Sequence, residues 1–250
     1  MHFERHPATS MPFNFHLGFG LPLALMLLLL LADPTALDFA IAHWAYDPQA
    51  GFIGRHSWFL EDFLHDRAKQ AVIVIGVLAI AGFVLSLLLG RCRAWRRPLG
   101  YLVLAMGLST SYVKPLKNLT GVHCPWSLSE FGGEETYTPL LSPRTATEQP
   151  GRCWPGGHAG TGFSLFALFF VLRDRHSRMA RSALAMALAL GITFSVGRML
   201  QGAHFFSHNL WTALFDWLIC LGCYRLLLYR PSLASALSLT TRADTGTTTD

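Results

Sequence analysis

Charge is what this 250-residue chain has least of: 14% of its residues are Asp, Glu, Lys or Arg, against 52% hydrophobic. Soluble domains carry about a quarter charged, so a chain this poor in ions lacks the polar side chains to cover a globular surface. Lipid is the solvent that such a composition suits. Also missing is any basic groove interleaved with aromatics, or any nucleic-acid motif, and that excludes a nucleic-acid partner. The net charge of +5 comes instead from short basic clusters between apolar runs, which set membrane orientation and touch anionic lipid headgroups. No internal repeat is present, and one helical membrane domain uses the length better than two soluble ones.

The apolar runs themselves predict an all-α fold, a bundle of six transmembrane helices. They cover about Phe13–Ala32, Ala71–Leu89, Leu99–Val113, Pro155–Leu172, Ser182–Gly197 and Phe205–Leu228. The first resembles a signal peptide in having Arg5 ahead of a long apolar stretch, but Asp33-Pro34-Thr35 is a poor cleavage site, so it reads as a retained anchor. Arg91, Arg93, Arg96 and Arg97, then Arg173, Arg175, Arg178 and Arg181, then Arg225 and Arg230, all fall on one side. The positive-inside rule makes that side, and both termini, cytoplasmic.

Residues 1–230 then form a single domain with outer loops at about 33–70, 114–154 and 198–204, and 231–250 a disordered cytoplasmic tail. The first outer loop holds six acidic against three basic residues and is rich in aromatics (Trp44, Phe52, Trp58, Phe59, Phe63). That pattern suits an interfacial helical segment on the membrane surface.

Cysteine is scarce, with five in all. Cys220 and Cys223 lie inside the last apolar run and read as buried thiols despite their CxxC spacing, and Cys92 lies on the cytoplasmic side. Cys124 and Cys153 share the second outer loop, where an oxidising compartment favours a disulfide.

Ionisable groups gather at the outer helix ends: Lys114 and Lys117 after the third run, PGGH (Pro155 to His158) before the fourth, Arg198 after the fifth, and His204 and His208 opening the sixth. Such groups at membrane depth are costly, and histidine is not a usual snorkelling anchor. Gly156 and Gly157 would let main-chain N–H groups approach an anion at a helix start. Arg198 offers a planar fork for two phosphate oxygens. His204 and His208, spaced i, i+4, would share a helix face. Asp216, two turns beyond His208, is an intramembrane acid, either functional or paired with a neighbouring helix.

The stretches KNLTGVHCP from Lys117, PGGH from Pro155 and GRMLQGAHFFSH from Gly197 resemble the signatures KxxxxxxRP, PSGH and SRxxxxxHxxxD of the type 2 phosphatidic acid phosphatases. The match keeps Lys117, Gly157, His158, Arg198 and His204. It departs at Cys124 (for Arg), Gly156 (for Ser), Gly197 (for Ser) and His208 (for Asp).

The resemblance implies a divergent, metal-independent phosphatase with no cofactor. Its substrate would be a phosphorylated lipid of the bacterial envelope: undecaprenyl pyrophosphate, phosphatidylglycerol phosphate, phosphatidic acid or lipid A. It also implies an inner-membrane protein whose active site faces the periplasm. His204 would attack phosphorus to give a phosphohistidine. His158 would protonate the leaving oxygen and then activate water, while Lys117 and Arg198 would neutralise the phosphoryl oxygens. His208 would accept the hydrogen bond from the far nitrogen of His204. Candidates for the missing negative charge are Glu130, Glu134 and Glu135; for the missing arginine, Arg152 and Lys114. Three other readings fit the same residues: a lipid phosphotransferase, a metalloenzyme using the His204/His208 pair with His158 or His123, and a non-catalytic lipid-phosphate binder.

Overall fold

The computed structural model describes residues 9–58, 60, 68–143 and 150–231. Phe59 and Phe63 of the expected surface segment, and the tail from 232 onward, lie outside the described residues. Among the described residues the chain is mostly helical: α1 (Phe15–Leu31), α2 (Thr35–Trp44), α3 (Ala68–Leu88), α4 (Arg96–Ser111), α5 (Val113–Thr120), α6 (Gly157–Phe163), α7 (Phe166–Leu172), α8 (Ser177–Leu200) and α9 (Phe206–Leu227).

Asn14 starts α1 by accepting the N–H of Leu17 at 3.0 Å, the usual service of an N-cap side chain. At the other end Asp33 takes a positive φ of 40° and accepts the N–H of Thr35 at 3.2 Å. That turn, with Pro34 behind it, sends α2 off at 86° to α1. Leu17, Leu21, Leu27, Leu28 and Leu31 stay exposed on α1, which suits a helix whose outer wall is lipid.

α3, α8 and α9 are each long and apolar enough to cross a bilayer, and α1 with α2 passes as a fourth span if the bent pair is counted as one. This is an integral membrane protein. At 16 residues, α4 rises about 24 Å, short of the hydrocarbon thickness. It docks on α3 through glycine: Leu99 packs over Gly82 and Phe83 over Gly100. Arg96 then closes the end of α3, donating to the carbonyls of Ser86 (2.6 Å) and Leu87 (3.0 Å), which would otherwise lack a helical partner.

Two features correct the sequence expectation. The segment expected as the first outer loop contains a small antiparallel hairpin, Tyr46–Asp47 with Gly51–Phe52, so the fold is not purely helical. Asp47 nucleates it by accepting the N–H groups of Gln49 and Ala50, both at 2.8 Å, and Gly51 supplies a φ of 79°. Second, the run from PGGH to Leu172 is not one helix. At Ser164–Leu165 the main chain tightens to i−3 bonds (Leu165 to Gly162, 3.2 Å; Ala167 to Ser164, 3.2 Å) and α7 restarts. Just before the break Gly162 lies against the main chain of Gly191 on α8, and Gly191 against the ring of Phe163, so a Cβ at either position would collide. Close approach of small residues is how membrane helices gain packing without a hydrophobic drive.

The core between α4, α6, α7 and α9 is filled by Tyr101, Ala105, Phe163, Phe166, Phe170, Leu221 and Tyr224. A separate, mainly aromatic cluster of Phe52, Leu128, Phe131 and Phe205, flanked by Phe39, Tyr46 and Tyr137, ties α2, the hairpin and the segment around Pro125–Phe131 to the start of α9.

Candidate active site

Lys117 sits on α5, which ends at Gly121 with a φ of 58°. Its ammonium is pushed down to about 8, chiefly by burial and then by the guanidinium of Arg198. Gly157, first residue of α6, lies against this side chain: a Cβ there would stand 3.6 Å from Lys117 Nζ and 3.3 Å from Val113. Arg198, in the last turn of α8, donates to Gln201 Oε1 at 2.9 Å and lies 5.6 Å over the ring of Trp126. His158 lines a cleft with Thr161, Phe194, Gly197, Arg198, Leu60 and Lys69.

His204 is 4% exposed. Its protonation is pushed well below the ordinary range, first by burial and then by Lys117, His208, Arg198 and His158. Its Nδ1 is 2.7 Å from the main-chain carbonyl of Cys153. A carbonyl can only accept, so Nδ1 carries the hydrogen and Nε2 keeps its lone pair. Four stretches of chain thus bring together the two histidines, the lysine and the arginine that the sequence singled out.

His208 is placed differently from the sequence expectation. α9 begins at Phe206, after an extended Phe205 (φ −74°, ψ 162°), so His204 lies ahead of the helix and the i, i+4 rule does not apply to the pair. Their ring centroids are 6.1 Å apart and tilted by 67°, and Nδ1 of His204 is bonded to Cys153, not to His208. His208 lines a separate cavity of about 150 Å³ with Asp38, Ser207, Trp154 and Trp211. Its carbonyl accepts the N–H of Gly156 at 3.2 Å, which removes that N–H from the expected anion site.

Gly156 has its own explanation: Asn209 Oδ1 occupies the space a side chain there would need, so glycine and asparagine go together. Lys114 and Arg152 are both exposed, and the cations acting on His204 are Lys117 and Arg198. The loop acids are engaged elsewhere. Glu130 meets His43 at 2.9 Å and Glu135 meets His123 at 3.5 Å, while Glu134 is exposed. Cys124 and Cys153 form a disulfide, with Cα atoms 5.1 Å apart. Among the described residues, no three His, Cys, Asp or Glu side chains converge as metal ligands. Asp216 is fully buried, with Tyr112 and Ser109 as polar neighbours.

Sequence reasoning missed four groups. Lys69 was counted as one more loop cation, although its place at the mouth of the second apolar run is a signal of a kind. Asn209 and the Cys153 carbonyl carry no signature. Asp38, on α2, is buried and accepts both the N–H (2.8 Å) and the hydroxyl of Ser207 at the start of α9. Burial pushes its carboxyl up to about 6, partly opposed by those two bonds.

Residues 98–232 match the family model of the PAP2 superfamily. The chain is also 26% identical, over 224 residues, to a lipid A 4'-phosphatase of Francisella tularensis subsp. novicida (strain U112), covering 85% of this chain and 97% of the relative. No solved structure matches. The matched span takes in Lys117, PGGH, Arg198 and His204, and more than half the chain, so this protein belongs to the PAP2 superfamily as a divergent member.

Proposed function

We propose that the protein is a lipid phosphatase of the bacterial inner membrane that removes a phosphate from an envelope lipid at the periplasmic face through a phosphohistidine. The observation that carries this reading is His204: neutral, with Nε2 as its free lone pair, and set beside His158, Lys117 and Arg198. Nε2 of His204 attacks phosphorus while the bond to the lipid oxygen breaks, and His158 gives that oxygen its proton. His158 then takes a proton from water, the water oxygen displaces His204, and inorganic phosphate leaves. Lys117 and Arg198, with Gly157 at the head of α6, balance charge on the phosphoryl oxygens, while Lys69 at the mouth of the cleft attracts the anionic headgroup. No step requires a metal.

The basic clusters support a cytoplasmic location for both termini, and six spans follow if α4 and the Gly157–Leu172 pair cross with the help of their polar flanks. The relative's name makes a lipid A phosphomonoester the first substrate to try, ahead of undecaprenyl pyrophosphate, phosphatidylglycerol phosphate and phosphatidic acid. The test is phosphate release by detergent-purified protein on these four lipids, with His204→Ala beside it and EDTA and vanadate as additions. Release from at least one lipid is expected, blocked by vanadate, indifferent to EDTA and absent in His204→Ala. Release that survives His204→Ala overturns the mechanism, and no release from any of the four leaves the non-catalytic binder standing.

A further inference from the structure

An imidazole that attacks through Nε2 needs an acceptor at Nδ1 to hold its ring and its tautomer. In this chain the acceptor is not a side chain. It is the carbonyl of Cys153, at 2.7 Å, and Cys153 is covalently tied to Cys124. The same strip of chain is pinned to the end of α5 at two further points. Cys153 N–H donates to the carbonyl of Val122 at 2.9 Å, and the hydroxyl of Thr120, whose shorter bond is to the carbonyl of Leu116 at 2.8 Å, also comes within 3.3 Å of the carbonyl of Trp154. Gly151 fits because a Cβ there would run into the main chain of Val122. Lys117 stands one turn before Thr120 on that same helix. The clamp therefore fixes two things relative to one another: the acceptor for His204 and the helix that carries the phosphate-binding lysine.

We infer that the Cys124–Cys153 disulfide is a positioning element of the active site, holding the Cys153 carbonyl where it orients His204. The inference rests on the phosphohistidine reading given above. It makes turnover dependent on an oxidising compartment, since reduction frees the strip while leaving every catalytic side chain in place. Replacing the cysteines by serine keeps the main-chain carbonyl, so any loss reports on where the carbonyl is held and not on its removal.

The experiment uses the full-length protein in detergent, with lipid A bearing both phosphates as the probe. The wild type is compared before and after reduction with a phosphine, and with Cys124→Ser/Cys153→Ser. The expected result is a fall in kcat approaching about 10²-fold, the usual consequence of misplacing a reacting group by an ångström, with KM little changed. Thermal unfolding of the cysteine-free protein in detergent separates positioning from stabilisation: a positioning clamp predicts the loss of kcat in protein that is still folded at the assay temperature. A clamp that merely stabilised the fold would lower the unfolding temperature and leave kcat per folded molecule unchanged.

Nitrogen-15 histidine spectra give a readout independent of turnover: His204 should show a fixed Nδ1–H tautomer when oxidised and a mixture when reduced. A cysteine-free protein with wild-type kcat, or a His204 tautomer that is the same before and after reduction, overturns the inference. If the oxidised wild type releases no phosphate, the phosphatase reading fails, and the tautomer spectra still decide whether the disulfide sets the His204 hydrogen bond.

Discussion

Arg173 caps the C-terminal end of α7 and Arg198 lies in the last turn of α8, and the protein treats the two cations in opposite ways. Arg173 is surrounded by acceptors. It donates to Tyr224 at 2.6 Å and to the carbonyls of Pro12 and Met11 at 3.0 and 3.2 Å. It also lies 3.3 Å from Asp174 and 4.8 Å over the ring of Phe13. These contacts tie the N-terminal segment to α7 and α9 through one guanidinium. Arg198 is set beside Lys117, close enough to depress the lysine's protonation, and both bear on His204. Cations gathered in this way oppose folding unless an anion joins them. One end of the bundle neutralises its charge internally; under the proposed function the other turns its cations toward the lipid phosphate.

Exchanging the two arginines for an isosteric apolar residue is the strongest way to break that contrast. Arg173→Met leaves the Tyr224 hydroxyl, two carbonyls and Asp174 without their shared donor, and should cost about 3–5 kcal/mol of stability with near-normal turnover per folded molecule. Arg198→Met should lower kcat/KM on the lipid phosphate by about 10²–10³-fold while thermal unfolding in detergent moves little. If Arg173→Met unfolds like the wild type, the neutralised end is not a structural lock.

A packing test follows, smaller in size. Gly156→Ser restores the residue usual in the family but places its Cβ against Asn209 Oδ1, and overpacking of this kind costs about 1–3 kcal/mol. Adding Asn209→Ala should return much of that stability, as judged by unfolding temperature. Equal destabilisation with and without Asn209→Ala would mean that the two positions are not coupled.

The charge-holding end should also show itself in pH dependence. Lys117 is protonated below about 8, so kcat/KM, which reports the free enzyme, should fall as pH rises through that value. Lys117→Arg keeps its charge and should move the falling limb upward by about a unit or more. The stability effect runs the other way. The unfolded chain holds this proton up to about 10.5 and the folded chain only up to about 8, so the folded state gains stability between those values as activity is lost. A falling limb that stays in place in Lys117→Arg would belong to another group.

Much of this was legible in the chain, for reasons that also explain what was not. Apolar runs report lipid burial directly, and the run expected at Phe205–Leu228 appears as α9 at Phe206–Leu227. The break at Asp33 was legible, since the first apolar run ends at Ala32, whereas the one at Ser164 depends on a local turn inside apolar sequence and left no gap in the hydrophobic pattern. Lys117, His158, Arg198 and His204 were legible because costly side chains recur at helix ends at fixed spacing. His208 was misplaced because its spacing from His204 was read on a helix that had not yet begun. The acceptor that replaces it is a main-chain carbonyl, and any residue type supplies one.

Lys69 offers the smallest effect and the finest distinction. It begins α3, is partly exposed, and reaches the cleft of His158 and Arg198 from a helix that carries none of the family motifs. A partly solvated cation at a cleft mouth attracts an anion before and during reaction to a similar degree. Interactions of that uniform kind lower KM without raising kcat. Lys69→Ala should therefore raise KM for the lipid phosphate by about three- to tenfold with kcat nearly unchanged, and Lys69→Arg should restore it. Added salt should weaken the wild type toward the alanine variant, because the screening length at physiological ionic strength is about 8 Å. A fall in kcat at constant KM would instead place the ammonium on the transferring phosphoryl group, and the charge held at this end of the bundle would then include a third cation acting in the transition state.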